Sequence, residues 1–262
     1  MSMAIESEFP DPTYLYEEFQ AFHRSLALRA ALELDIFTHI DSGATTVDAL
    51  AKKCHASERG IRILCDYLVV TGHLLKESAN YGLPVNSALY LSTNSSAYIG
   101  SAASFLTGDD ALRSFGGLSE AVRAGTCVVN ADACFQAAYW KGFAESMASF
   151  AKPVARMAAA CVDFDCDRPL NILDVAAGHG LYGLAMADRN PQAHIYALDS
   201  PAVLEVAERN ARLAGIAERY HLIPGDVFET ELGGPYDLIV AANFVHHFDK
   251  PTNTTLFNKF IS

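Results

Sequence analysis

Residues 170–183, LNILDVAAGHGLYG, decide the fold of the second half of the chain. A strand-like run over 170–176 leads into a turn with glycine at 178 and 180, and a helical pattern starts directly afterwards. Glycine lets the backbone turn sharply and lets a ligand approach the main chain closely. This order is typical of the first unit of a parallel sheet, whose ligands bind at the carboxyl ends of the strands.

The same alternation of strand and helix patterns continues downstream. Pro201 begins a helical pattern and Gly215 ends it, as these residue types commonly do. The last strand pattern is apolar throughout, as expected where helices cover both faces of a sheet. We therefore predict an α/β domain over 169–262 with a Rossmann-like parallel sheet. The predicted strands are 170–176, 193–198, 219–223 and 236–242, and the predicted helices between them are 181–190 and 201–214.

The first hundred residues have a different, mainly helical, sequence pattern. Apolar residues recur at helical spacing on more than one face of 13–40, which predicts one long helix that packs on more than its own domain. A capping box at 45–48 predicts a short helix, and Ser57 caps a second helix that ends at Gly72. Residues 73–91 then read as a small hairpin. This order predicts a mainly helical, winged-helix-like domain over 1–100 that associates with a second copy.

A helical linker is predicted between these two parts, over residues 101–168. It is rich in alanine, serine and glycine. The block Tyr139–Ala160 predicts a long helix that Pro153 interrupts.

The charge balance argues against several partners. The chain has 31 acidic and 19 basic residues, a formal net charge of −12, and so suits neither a nucleic-acid backbone nor an anionic membrane surface. The predicted recognition helix at 58–71 offers only Arg59 and Arg62 as basic residues, whereas a DNA reader normally carries a basic stripe there. We interpret the winged-helix-like part as a dimerisation platform.

The lengths of the apolar runs and the spacing of the cysteines indicate in which cellular compartment the protein is expected. No run approaches the roughly 20 apolar residues that cross a bilayer, and the first residues lack the basic segment of a secretory signal. The six cysteines form no C-x-x-C pair, which argues against a zinc or thioredoxin-like motif. We expect a cytoplasmic protein with reduced thiols.

The glycine turn also fits a dinucleotide pattern. Residues 178–183 satisfy G-x-G-x-x-G, and Asp199 stands about where a ribose-binding acid belongs. Asp174, however, precedes the glycines, and no basic residue stands in the turn. An acid at this place suits a cationic ligand and would repel a pyrophosphate. An NAD-dependent oxidoreductase is therefore a distant alternative.

Four segments around this turn carry a family resemblance. They are Asp174–Gly180, Asp199, Gly225–Phe228 and Asn243–Phe248, each at or after the end of a predicted strand. In this order they resemble the class I S-adenosylmethionine (SAM)-dependent methyltransferases, most of all the small-molecule O-methyltransferases of plants and bacterial natural-product pathways. The stretch Ala27–Leu83 is similar to the dimerisation domain of that family. The resemblance covers essentially the whole chain.

The resemblance implies a binding site for SAM, with S-adenosylhomocysteine (SAH) as the product, and a homodimer. Gly178 and Gly180 would pack against the methionine part of SAM, and Asp199 would hold the ribose hydroxyls. Ala176 departs from the family pattern, which usually has glycine there. The other implied cofactor-binding residues are Asp174, Asp226, Val227, Phe228 and Asn243.

The resemblance also implies methyl transfer to a hydroxyl of a small, aromatic natural-product acceptor. The histidine that serves as general base in this family matches His246, and a neutral imidazole suits that role. His247 stands where many relatives carry an acid. Adjacent histidines on a strand end point in different directions, so we expect no metal site. The candidate acceptor-pocket residues are Trp140, Phe143, Met147 and His247.

The given sequence ends at Ser262, before the fifth strand and the antiparallel pair that the family has. We therefore expect an incomplete sheet in which strands one to four are visible. A longer protein is the favoured explanation; completion by a second polypeptide and a degenerate homologue without catalysis are the two others. The alternative function is a non-catalytic or partner-completed SAM-binding dimer scaffold.

Overall fold

The computed structural model describes residues 11–125, 137–163 and 168–261. The chain divides into two compact units, Met1–Gly108 and Asp109–Ser262. Three of the six cysteines, Cys127, Cys134 and Cys166, lie outside the described residues, and Cys54, Cys65 and Cys161 are free thiols. No helix within the described ranges is long and apolar enough to cross a membrane.

The first unit consists of helices and one small hairpin. A core of buried apolar side chains, among them Phe37, Leu50 and Leu68, holds the elements together. The helices are α1 Thr13–Glu33, α2 Ile36–Asp41, α3 Val47–Lys53, α4 Glu58–Val70, α5 Val85–Leu91 and α6 Ala102–Leu106, and the antiparallel strands are β1 Leu75–Glu77 and β2 Asn80–Gly82.

The prediction of one helix over 13–40 is wrong at Asp35. This residue has a φ of +53°, a left-handed conformation that separates α1 from α2. The turn redirects the chain and places Ile36 and Phe37 in the core, both 0% exposed. Burial of these two side chains outweighs the regular helical pattern, because each contributes roughly 2 kcal/mol when removed from water.

The start of α3 also differs from the predicted capping box. Its N-cap is Thr46, whose side chain accepts a hydrogen bond from the Ala49 backbone N–H at 3.3 Å. Asp48 faces along the helix and forms an ion pair with Lys52 at 2.8 Å. Ser57 caps α4 as predicted, accepting from the Gly60 N–H at 3.1 Å.

The predicted hairpin at 73–91 is confirmed only in its first half. Strands β1 and β2 pair with Lys76 opposite Tyr81. The second half of this range is not part of the hairpin: it forms α5, Val85–Leu91, with Pro84 at the N-cap.

The second unit contains a four-stranded parallel sheet. Its order is β5-β4-β3-β6, which confirms the predicted α/β domain and its Rossmann-like sheet. The elements are α7 Asp109–Gly116, α8 Leu118–Ala124, α9 Ala137–Ala160, β3 Asn171–Val175, α10 Leu181–Arg189, β4 His194–Asp199, α11 Pro201–Leu213, β5 Tyr220–Pro224, β6 Leu238–Val240 and α12 Lys250–Ile261, with short 3₁₀ turns at Ala217–Arg219 and Val245–His247.

Both faces of this sheet are covered, as the apolar strand patterns predict. Ile172 and Ile195 belong to the core shared with α10 and α11. Leu173 and Val175 point to the opposite face and pack in a second core with Leu256 of α12. The alternation of side chains along each strand distributes the apolar residues between the two cores.

Helix α9 continues through Pro153, contrary to the predicted interruption. Proline lacks the N–H for one helical hydrogen bond. Ala155 and Ala159 beyond the proline are both 1% exposed, so the packing of this last part holds the helix in place.

Candidate cofactor and acceptor site

The glycine turn follows β3 and is built from left-handed backbone conformations. Gly178 and Gly180 have φ values of +58° and +74°. Ala176 has a φ of +53°, which costs a residue with a Cβ about 1 to 2 kcal/mol. A Cβ on Gly178 would meet only the Ala176 carbonyl oxygen, at 3.8 Å, so this side of the turn is open to a ligand.

Gly180 faces the protein interior. A Cβ there would lie 2.5 Å from the Tyr220 hydroxyl oxygen and 3.0 Å from the Ala207 Cβ. Gly183 is equally constrained, because its Cβ would lie 2.6 Å from the Ile195 Cγ2. The three glycines therefore have different roles: one leaves space for a ligand, and two permit close packing of the turn and α10 on the sheet.

Asp199 connects the turn to the end of β4. Its Oδ2 accepts a hydrogen bond from the Gly178 N–H at 2.9 Å, and its Oδ1 accepts from the Ser200 N–H at 2.7 Å. Burial raises the pKa of Asp199, while these two hydrogen bonds oppose the increase. Each carboxylate oxygen has a further lone pair, so the side chain still has acceptor capacity for ligand hydroxyls.

Asp174 lies behind the turn and is 1% exposed. Its Oδ2 accepts from the Gly183 N–H at 2.9 Å. Burial raises the pKa of Asp174 to about 7, the Gly183 hydrogen bond lowers it, and the charge of Asp199 raises it further. At this position Asp174 holds the first turn of α10 against β3.

His179, between the two turn glycines, is held as a neutral imidazole. It is 9% exposed, and burial lowers its pKa to about 4. Its Nδ1 pairs with the Leu181 N–H at 3.2 Å, and its ring stacks on Tyr182 with centroids 6.1 Å apart. The turn thus carries no positive charge from this histidine at neutral pH.

The segment after β5 lies against the second core. Val227 is 3% exposed, whereas Asp226 is exposed and its Oδ1 accepts from the Phe228 N–H at 2.8 Å. The Gly225 N–H donates to the Asp199 carbonyl at 3.0 Å. This bond joins the segment to the end of β4, beside the glycine turn.

Asn243 follows β6 in a left-handed conformation, with a φ of +53° that asparagine tolerates well. Its Nδ2 donates to the Tyr182 hydroxyl at 3.4 Å. The end of β6 is therefore linked to α10 next to the glycine turn.

The two histidines after β6 lie on a 3₁₀ turn, Val245–His247, with ring centroids 4.2 Å apart. Both are exposed. His247 faces the ring of Trp140 edge to face at 6.0 Å. Partial desolvation by its neighbours lowers the pKa of His247, and the charge of His246 lowers it further.

Trp140 is held by α11. It packs on Val203 and Val206, and its ring meets Phe143 edge to face at 5.7 Å. Ion pairs Lys141–Glu205 and Glu145–Arg209 tie α9 to α11 on either side. Met147 is half-buried one turn further along α9. The structure thus places His247 beside Trp140, which in turn contacts Phe143, so that three of the predicted acceptor-pocket residues lie together.

Three residues of this region were not predicted from the sequence. Tyr182 meets both His179 and Asn243, and the Asn210 Nδ2 donates to the His179 carbonyl at 2.8 Å. Tyr220 places its hydroxyl under Gly180. Of these three residues, only Tyr182 lies within a motif that is recognisable in the sequence, the glycine pattern at 178–183. Contacts between separate elements bring Asn210 and Tyr220 to the turn.

Comparison with known proteins assigns both parts of the chain. A family model described as a methyltransferase domain matches residues 172–262, and one described as an O-methyltransferase dimerisation domain matches residues 16–98. The solved structure of a candidate O-methyltransferase from Nostoc punctiforme is 39% identical, with a TM-score of 0.89, and the match covers 97% of this chain and 76% of that one.

Two further relatives are informative. The mitomycin biosynthesis 6-O-methyltransferase of Streptomyces lavendulae is 26% identical over 240 residues, 88% of this chain and 68% of the relative. The human N-acetylserotonin methyltransferase, solved in complex with SAM, is 23% identical with a TM-score of 0.79, over 98% of this chain and 77% of that one, and supports the fold. The chain spans only 30% and 25% of the lengths of two other curated relatives, both release factor glutamine methyltransferases.

The sheet, the glycine turn and these matches agree. The chain belongs to the O-methyltransferase family. The alternative of an NAD-dependent oxidoreductase is set aside.

Proposed function

We propose that the protein is a SAM-dependent O-methyltransferase that methylates a hydroxyl of a small aromatic acceptor, with His246 as general base. The observation that carries this proposal is the open glycine turn with the Asp199 carboxylate at the end of the adjacent strand. The Streptomyces relative, named for mitomycin biosynthesis, supports a natural-product acceptor.

The residues at the turn fit a cationic cofactor. Gly178 leaves the front of the turn open, and Asp199 can accept hydrogen bonds from ribose hydroxyls. Asp174 adds negative charge behind the turn, and neutral His179 does not oppose it. Phe228 is only partly buried and offers an apolar contact for an adenine ring beside Asp226, whereas the Val227 side chain packs in the core beneath it.

His246 acts as the general base that takes the hydroxyl proton of the methyl acceptor. SAM supplies an activated methyl group on a sulfonium when it is bound. The imidazole of His246 removes the proton from the attacking oxygen, and the protein aligns the acceptor for an in-line reaction. Trp140, Phe143, Met147 and His247 form one wall for a flat acceptor, since aromatic rings prefer edge-to-face and offset contacts.

The first unit is proposed to form a homodimer. Helix α1 exposes several aromatic side chains, namely Tyr14, Tyr16, Phe19 and Phe22, each more than half exposed. Exposed aromatic surface of this kind usually marks an interface. The match to an O-methyltransferase dimerisation domain over 16–98 supports the same assignment. We also propose a cytoplasmic setting, where the free thiols of Cys54, Cys65 and Cys161 would remain reduced.

The test is methyl transfer from methyl-labelled SAM to a panel of hydroxylated aromatic compounds. Wild-type protein should label at least one of them, and His246→Ala should lower the rate about 10²- to 10⁴-fold, as for loss of a general base. His246→Ala should still bind SAH, which shows that the fold is intact. Binding of SAH without labelling of any acceptor would favour the non-catalytic scaffold. Equal rates for His246→Ala and wild type would remove His246 as the base.

A further inference from the structure

Three acidic groups lie together behind the glycine turn. Asp174 is the last but one residue of β3, and Asp199 is the last residue of the neighbouring β4. Tyr220 is the first residue of β5, which pairs with β4. Asp174 is 1% and Tyr220 is 6% exposed. The Tyr220 hydroxyl lies directly under the turn, 2.5 Å from where Gly180 would carry a Cβ.

The Tyr220 hydroxyl oxygen is buried and has no hydrogen-bond partner among the described residues. Most buried hydroxyls are hydrogen-bonded, and an unpaired one costs about 1 to 3 kcal/mol. Both carboxylates act electrostatically on Tyr220, and with burial they raise its pKa well above the usual range. The phenol therefore keeps its proton and has a hydrogen to donate.

Among the residues that the structure describes, no lysine or arginine compensates the two carboxylates. The groups that act on Asp174 are Asp199 and the Gly183 N–H, and no lysine or arginine of the described residues contributes. His179 in the turn is neutral, because burial lowers its pKa to about 4. Arg209 on α11 is paired with Glu145. Two like charges in a buried site are costly, so one of them is readily neutralised by a proton.

We propose that Tyr220 is a positioning residue of the cofactor site and that Asp174, Asp199 and Tyr220 form a buried acidic cluster, whose two carboxyls hold one proton between them in the free protein and release it to solvent when a cationic cofactor binds. The proton resides on Asp174, the more buried of the two carboxyls. This inference rests on the proposed function, because it requires a cation at the open face of the turn.

Binding then changes the charge of the cluster. A cation in front of the turn stabilises the charged form of both carboxylates, so Asp174 loses its proton. The hydroxyl hydrogen of Tyr220 is available for the carboxylate that becomes charged. Because binding of the cation and binding of the proton oppose each other, the affinity for SAM should increase with pH up to about 7 and then level off. The slope approaches about tenfold per pH unit where one full proton is released.

The experiment is calorimetric titration of the whole chain with SAM in buffers of different ionisation enthalpy, from pH 6 to pH 9. The dependence of the heat on the buffer gives the number of protons released. Wild type should release most of one proton at pH 6, less at pH 7 and almost none at pH 9. SAH, which lacks the sulfonium charge, should cause a smaller release. The amino group of the ligand titrates equally in all variants and cancels in the comparison.

Three variants decide the assignment. Asp174→Asn keeps the acceptor for the Gly183 N–H and should abolish the extra proton release. Tyr220→Phe should move the release to higher pH and weaken binding at pH 7, because the dipole of the nearby hydroxyl no longer stabilises the charged carboxylate. Tyr196→Phe, on β4 but packed in the opposite core, should match wild type.

Proton release from Asp174→Asn equal to that of wild type, or an unchanged pH midpoint in Tyr220→Phe, would overturn the inference. Binding of SAM with no linked proton release would overturn it while leaving the proposed function intact. Failure of wild type to bind SAM or SAH at any pH would overturn both.

Discussion

The ring of His247 meets the ring of Trp140 edge to face, with centroids 6.0 Å apart. One residue is on the turn after β6 and the other is on α9, so two distant segments of the chain meet at this place. His246, the proposed base, lies beside this pair, with its ring centroid 4.2 Å from that of His247. An acceptor that packs on Trp140 would therefore be held close to the base.

Trp140→Ala should impair acceptor binding more than cofactor binding. It removes the aromatic wall, so we expect the KM for an aromatic acceptor to rise about tenfold or more, while the Kd for SAH changes little. Trp140→Phe keeps a ring against Val203 and Val206 and should recover most of the loss. Steady-state kinetics with SAH titration measure both quantities. A parallel loss of SAH affinity in Trp140→Ala would show that Trp140 only supports the fold.

Gly180→Ala should damage the cofactor site. The new Cβ would collide with the Tyr220 hydroxyl, and the φ of +74° disfavours any residue with a Cβ. We expect a loss of about 2 kcal/mol or more in unfolding free energy and weaker SAH binding. Gly142→Ala is the matched control, because a Cβ there meets nothing within 4 Å inside α9, and it should stabilise the protein by about 0.5 to 1 kcal/mol. Chemical denaturation checks both, and equal effects of the two substitutions would refute the packing role of Gly180.

The stability of the ligand-free protein should depend on pH through Asp174. Its folded pKa of about 7 is above its ordinary value of 3.8, so the folded state binds a proton that the unfolded state has already lost between these values. The stabilising contribution is complete at low pH and disappears as the pH rises through about 7. Asp174→Asn should lack this dependence and be more stable than wild type at pH 8, by on the order of 4 kcal/mol. Urea unfolding from pH 5 to pH 8 measures the difference.

Asp188→Asn is the control for this series, since Asp188 is exposed on α10. It should follow wild type at every pH. If Asp174→Asn also followed wild type, Asp174 would be charged in the free protein throughout this range.

Phe19→Glu should dissociate the proposed homodimer. Phe19 is 72% exposed on α1, among the aromatic residues of the proposed interface, and a buried unpaired charge there would be costly. Light scattering should show a dimer for wild type and a monomer for the variant. Val70→Glu, at the end of α4 and 85% exposed, introduces the same charge elsewhere and should leave the dimer intact. A monomeric wild type would contradict the assignment of this surface.

The sequence predicts the sheet of the second unit well because each strand is a short apolar run followed by a clear turn. The glycine turn and Asp199 can be located for the same reason, since both depend on residues close in the chain. The break at Asp35 and the continuity of α9 through Pro153 could not be predicted, because the tertiary packing of Phe37 and Ala155 decides them. Tyr220 stands 40 residues after Gly180, and only the pairing of β5 with β4 brings its hydroxyl under the turn.

The most direct test of the cofactor site is titration of SAH into wild type, Asp199→Asn and Asp188→Asn. Asp199 joins the turn to the end of β4 and would accept the ribose hydroxyls, so its amide variant should bind SAH at least about tenfold more weakly, as for loss of a charged hydrogen-bond partner. Wild type and Asp188→Asn should bind with equal affinity. Equal binding by all three proteins, or no binding by wild type, would contradict the placement of the cofactor at the carboxyl ends of β3 and β4.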